Sequence, residues 1–161
     1  MASGGVGHVA VQLAREAGAE VTGTASPAHH AFVASLGASQ VLDHAKGAIE
    51  QAVRDVDLAI DHRGGEDFLR ILGVVRPGGA IATLKGADAA GEAAARNKHV
   101  RVERVFVRPN GEALDRVAER LATGSLRIAV DRVLPLAEAR AAHAVVDGAR
   151  GRGRSVLDVS E

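Results

Sequence analysis

The residues best suited to chemistry stand at the start of the chain, where Met1-Ala2-Ser3-Gly4-Gly5-Val6-Gly7 runs straight into Val9-Ala10-Val11-Gln12-Leu13-Ala14. This spacing is that of a tight turn opening an amphipathic helix, and its chemistry is anion binding. The first N–H groups of a helix lack intrahelical partners and the helix dipole is positive there, so such a turn suits a phosphate. Aligned on the dinucleotide pattern G-x-G-x-x-G, Ala2 takes the first glycine position and Gly4 and Gly7 the second and third. Gly4 lets backbone approach a pyrophosphate, and Gly7 lets the helix pack closely on a strand. If a nucleotide binds, Ser3, Gly4, Gly5, Val6 and Gly7 lie along its pyrophosphate. The competing reading is a glycine-rich helix start that binds nothing.

Other chemistries find less support. The seven histidines show no H-x-x-x-H or comparable ligand spacing, and the chain has no cysteine, so no metal site is expected. No nucleophile elbow accompanies a Ser/His/Asp set, so no catalytic residue is assigned. Lys plus Arg and Asp plus Glu each number 20, which argues against a nucleic-acid or membrane partner drawn by bulk charge. The Arg150, Arg152, Arg154 cluster reads as a solvated loop rather than a binding patch. With no basic leader or apolar signal region, cytoplasmic residence is the expectation.

The elements that must position the turn follow from periodicity and punctuation. Val6, Val9, Ala10, Leu13, Ala14 and Ala17 share one helical face, and Gly18 closes that helix. Glu20–Thr24 reads as a strand, Pro27–Leu36 as a helix ended by Gly37, Gln40–Leu42 as a short strand and Ala48–Val53 as a short helix. Val56–Asp61 is a strand and Glu66–Val75 a helix, stopped by Arg76-Pro77-Gly78-Gly79 ahead of a strand over Ala80–Leu84. Residues 86–99 are alanine-rich and unassigned. Arg101–Val107 alternates as a half-exposed strand does. Asn110-Gly111 opens a helix ended by Gly124; Ile128–Leu134, Leu136–Val146 and Arg154–Val159 then read as strand, helix and strand. This alternation implies an α/β fold with a doubly wound parallel sheet.

With the elements placed, several stretches are similar to one family. Ala2-Ser3-Gly4-Gly5-Val6-Gly7-His8, Val11-Gln12-Leu13-Ala14, Gly23-Thr24-Ala25-Ser26, Ser35-Leu36-Gly37-Ala38, Arg76-Pro77-Gly78-Gly79, Asp131-Arg132-Val133, Pro135-Leu136, Ala142-His143 and Gly153-Arg154-Ser155-Val156-Leu157 occur in matching order and spacing. The chain resembles the nucleotide-binding half of medium-chain dehydrogenases/reductases, in the zinc-independent quinone oxidoreductase branch. The resemblance implies a Rossmann-like domain over residues 1–124. Residues 125–161 are then a strand-helix-strand segment that in the family packs on a GroES-like catalytic domain. That domain and the usual first Rossmann strand have no counterpart in the sequence, so Ile128–Leu134 or Ser155–Val159 is expected to fill the vacant strand position, in cis or by swapping.

The resemblance also implies NADP(H) as cofactor and hydride transfer involving a small carbonyl, enone or quinone substrate. The alternative is a non-catalytic or repurposed nucleotide-binding remnant. The segment after the second strand, Thr24-Ala25-Ser26-Pro27-Ala28-His29-His30, carries no acid to hold a ribose 2′-OH. Ser26 is placed to meet a 2′-phosphate, and His30 falls where similar enzymes carry Lys or Arg. Asp61 ends the strand bordering the nicotinamide ribose, followed by His62 and Arg63 where the family has Thr and an apolar residue. Leu84 and Gly86 fall where the next strand meets the cofactor. A homodimer pairing the Arg101–Val107 edge is expected.

Overall fold

The computed structural model describes residues 1–46, 49–148 and 151–160. In chain order the elements are α1 (Gly7–Glu16), β1 (Thr22–Ala25), a 3-10 turn (Pro27–His29), α2 (His30–Ser35), β2 (Gln40–Asp43), α3 (Ile49–Ala52), β3 (Val56–Asp61), α4 (Glu66–Val74), β4 (Val75–Thr83), α5 (Ala89–Asn97), β5 (Arg101–Arg104), α6 (Gly111–Ala122), β6 (Val130–Pro135), a second 3-10 turn (Leu136–Glu138), α7 (Ala139–Asp147) and β7 (Arg154–Asp158). Every strand pairing is parallel: β1 with β2, β3 with β4, β4 with β5, and β6 with β7. Parallel neighbours need crossover connections, which α2, α4, α5 and α7 provide. The α/β expectation is met.

The chain forms two compact units, Met1–Lys46 with Asn110–Glu161, and Gly47–Pro109. Each has its own core. Ala2, Val11, Ala25, Val33, Leu36 and Ala38 close the first. Phe68, Leu72, Val75, Ile81, Ala95 and Val100 close the second. The helices start and stop for local reasons. Asn110 Oδ1 accepts from Ala113 N at 3.0 Å to open α6, and Asp88 Oδ1 accepts from Gly91 N at 2.7 Å to open α5. Lys98 Nζ donates to the Leu72 and Gly73 carbonyls at 2.8 and 2.7 Å, satisfying the last turn of α4. No helix among the described residues is long and apolar enough to cross a membrane.

Three expectations change. The stretch Arg76-Pro77-Gly78-Gly79 lies inside β4 rather than between helix and strand. The register advances from Val56↔Val75 to Leu58↔Ala80, so β4 carries an irregular loop-out, turned by Gly78 at φ 80°. Residues 89–97 form α5, made legible by the Asp88 cap. Strand β5 ends at Arg104, short of Val107. Strands β6 and β7 pair only with each other among the described residues. Within one chain neither is seen filling a further strand position, and exchange of a strand between subunits stays an expectation. The Ala48 start of the short helix lies outside the described residues.

Candidate functional site

The glycine turn is built by close contact. The first turn of α1 is closed by His8 N donating to Gly4 O at 3.0 Å. A Cβ at position 7 would collide with the Met1 carbonyl and lie 2.8 Å from Ala2 Cα, so only glycine lets the helix start pack on the preceding residues. Ala2 N in turn donates to Thr24 O at 2.6 Å, which ties the turn to β1. At Gly4 a Cβ would meet only the Met1 carbonyl, at 3.9 Å, so this backbone face is open. Val6 is exposed and Ser3 buried.

A cation lies on this turn. A Cβ at Gly5 would stand 3.1 Å from both Nε and Cζ of Arg154, the first residue of β7. The guanidinium therefore rests on the turn at the N-terminus of α1, where helix dipole and unpaired N–H groups already favour an anion. None of the ion pairs among the described residues involves Arg154, and it stays exposed. Its neighbour Arg152 is engaged, 4.0 Å from Asp131 and over the Phe32 ring. The sequence reads this basic cluster as a solvated loop; Arg152 and Arg154 are exposed, and the seat of Arg154 against Gly5 is visible only in the structure. Arg150 lies outside the described residues.

The polar groups after β1 gather at the same turn. His29 Nδ1 lies 3.2 Å from Ser3 Oγ and 3.5 Å from Ser26 Oγ. Among the described residues no carboxylate takes part. His30 points elsewhere: its Nε2 donates to the Ala25 carbonyl at 3.2 Å. Ser3 and Ser26 are thus brought together, with His29 rather than His30 between them. The sequence signal available was the register of the helical turn, since adjacent residues on a helix face differ by about 100°.

Asp61, Leu84 and Gly86 belong to the second unit. Asp61 is buried, with both carboxylate oxygens occupied. Oδ1 accepts from Arg63 N at 2.9 Å and Gly64 N at 3.0 Å, and Oδ2 accepts from Thr83 Oγ at 2.9 Å. The Thr83 hydroxyl also accepts from Gly86 N at 3.1 Å and Lys85 N at 3.3 Å. Asp61 thereby joins the carboxyl ends of β3 and β4 and shapes both turns beyond them. Leu84 N donates to Asp61 O at 2.9 Å. Arg63 forms an ion pair with Asp67 one turn on. Half-buried His62 is held below the ordinary histidine pKa, first by burial; Asp61 opposes this.

Among the described residues no three His, Cys, Asp or Glu side chains lie together as metal ligands. A groove of about 670 Å³ in the first unit includes Gln12, Arg15, Glu16 and Arg127; it lies at the other end of α1 and excludes the glycine turn.

Four likenesses bear on this geometry. Residues 36–157 match the family described as zinc-binding dehydrogenase. The chain is 30% identical to the NAD(P)H oxidoreductase RTN4IP1, mitochondrial, of Danio rerio, over 99% of this chain and 48% of that protein. It superposes on the quinone oxidoreductase of Coxiella burnetii with a TM-score of 0.93 at 31% identity, covering 98% of this chain and 50% of that one. The Escherichia coli quinone oxidoreductase complexed with NADPH shares the fold, at a TM-score of 0.83 and 22% identity over 97% of this chain and 54% of that one. The chain thus spans about half the length of the relatives it matches.

Proposed function

This chain belongs to the zinc-binding dehydrogenase family, as a nucleotide-binding part of the medium-chain dehydrogenases/reductases, and from that premise we propose that it binds NADP(H) for an oxidoreductase acting on a small carbonyl or quinone. The observation that carries the reading is the Arg154 guanidinium lying over Gly5 at the N-terminus of α1. A free cation, a helix N-terminus and the open Gly4 face converge on one place suited to a pyrophosphate. The residues fit the cofactor: Ser3–Gly7 and Arg154 hold the pyrophosphate, and Ser26 with His29 meets the adenosine ribose. Polar groups without a carboxylate at that point favour a 2′-phosphate over a bare 2′-OH. Within the second unit Asp61 fixes the turns after β3 and β4, since its own oxygens are occupied.

The bound nicotinamide supplies the hydride, and the chain's residues bind and orient it. The zinc in the family's description has no donor set here, because the chain contains no cysteine and its described carboxylates and histidines are scattered. A homodimer paired along β5 is part of the reading, since β5 bonds to β4 on one side only among the described residues. Light scattering coupled to size exclusion tests it.

A second reading, a binding module without turnover, is favoured by the β6–β7 sheet. Val133 and Val156 are register partners, 60% and 41% exposed, and present an apolar face suited to another surface. The deciding experiment is titration with NADPH followed by cofactor fluorescence, with NADH as control. The chain has no Trp or Tyr to interfere. Saturable binding, tighter for NADPH, is the expected result. Absence of binding to the folded protein overturns both readings. Oxidation of bound NADPH by 9,10-phenanthrenequinone separates the enzyme from the module.

A further inference from the structure

We propose that His8 is a positioning residue, locked in one tautomer, that holds the glycine turn and Arg154 in register with each other. The inference rests on the phosphate-binding reading of that turn. His8 is fully buried at 0% exposure, the second residue of α1. Its Nδ1 lies 2.9 Å from the Gly4 carbonyl and its Nε2 lies 3.2 Å from Ala129 N. A carbonyl oxygen only accepts and a backbone N–H only donates, so Nδ1 carries the proton and Nε2 is bare. The neutral Nδ1–H imidazole satisfies both partners; the other tautomer satisfies neither, and the imidazolium only Gly4.

The partners of those partners close a ring. The Ala129 carbonyl accepts from Arg154 N at 2.8 Å, so Ala129 is held by His8 on its N–H and by Arg154 on its C=O. The Arg154 guanidinium returns to lie over Gly5, next to the Gly4 carbonyl from which the ring began. Two further ties run alongside. Ser3 O accepts from Gly153 N at 2.7 Å. One helical turn past His8, the Gln12 amide accepts from Arg127 N at 3.1 Å and donates to Arg127 O at 3.0 Å. A side chain at position 153 would collide with the Ala129 carbonyl, so the backbone approach that seats Arg154 is itself close. The turn and the cation facing it are 149 positions apart in the numbering, from Gly5 to Arg154, and a single imidazole bridges the backbone that carries each.

The test has two parts. In nitrogen-15 spectra of the wild-type imidazoles, His8 is expected to show a protonated Nδ1 and an unprotonated Nε2; the opposite tautomer, or an imidazolium, at neutral pH overturns the proposal. The second part is a double-mutant cycle on NADPH affinity. Removing one member of a buried hydrogen bond is expected to weaken binding on the order of tenfold in His8→Ala. In an Arg154→Ala background the same substitution is expected to cost little, because the cation it positions is gone. Equal losses in both backgrounds overturn the coupling. His8→Gln, whose amide oxygen can replace Nε2 as acceptor for Ala129, is expected to recover most of the affinity and covers the case in which His8→Ala does not fold. Wild-type protein that binds no NADPH ends the positioning role together with the nucleotide reading. Wild-type binding with unaltered His8 variants ends the positioning role alone.

Discussion

Replacing Asp61 with alanine tests whether this buried carboxylate holds the turns after β3 and β4 together. Asp61 is 1% exposed and Thr83 0%. The carboxylate accepts from Arg63 N, Gly64 N and Thr83 Oγ, all within 3.0 Å. Alanine leaves three donors facing an apolar gap. At about 1–3 kcal/mol for each buried donor left unpaired, with Arg63 N partly relieved by solvent, the loss comes to about 3–5 kcal/mol. For a chain of this length that lowers Tm by about 10 °C. Asparagine keeps one acceptor oxygen for the two N–H groups but turns an NH2 toward Thr83. The Thr83 hydroxyl must then accept from that NH2 while already serving Lys85 N and Gly86 N. Asp61→Asn is therefore expected to cost about 1–2 kcal/mol, less than alanine. Urea unfolding followed by far-UV circular dichroism measures both, since the chain has no Trp or Tyr for fluorescence. A loss below about 1 kcal/mol in Asp61→Ala refutes the reasoning, because it would place the carboxylate in water.

Other outcomes follow from the same geometry. Gly7→Ala drives a methyl into the Met1 carbonyl and is expected to abolish NADPH binding in protein that is still folded; wild-type affinity in the variant would contradict the close-packed turn. Phe68→Ala empties the centre of the second unit's core, where Phe68 is 1% exposed, and is expected to cost about 3–5 kcal/mol in urea unfolding. His62, held below its ordinary pKa chiefly by burial, binds its proton more weakly folded than unfolded. Its contribution is present above about pH 6.5 and is lost as pH falls below it. His62→Gln is expected to flatten the decline of stability between pH 7 and pH 5, and an unchanged slope would show that other groups cause it.

Much of the scaffold is legible in the residues because its signals are local. Val56–Asp61 is a strand with the ends that its apolar run and the following Gly64-Gly65 imply. Asn110 and Gly124 bracket α6 because an N-cap oxygen and a left-handed glycine act within one turn of chain. The glycine turn into α1 falls where its spacing requires. The extent of β4 was hidden, since Pro77-Gly78-Gly79 carries the signature of a loop and only the pairing of Val75 and Ala80 on either side with β3 carries the strand across it. Helix α5 was missed because its alanines show little periodicity, though Asp88 three residues before Gly91 was a usable cap signal.

The sequence by itself determined the order of the elements, the glycine turn and its suitability for a phosphate. Each depends on backbone preferences and side-chain periodicities that act over a few residues. Tertiary structure alone decided that Arg154 lies over Gly5, that His29 rather than His30 joins Ser3 and Ser26, that Asp61 is spent on Thr83 and the turn beyond it, and that His8 reaches Ala129 across 121 positions of chain. These pairings depend on where distant segments return once the cores have closed, and burial then leaves each polar group only those partners that packing brings within reach.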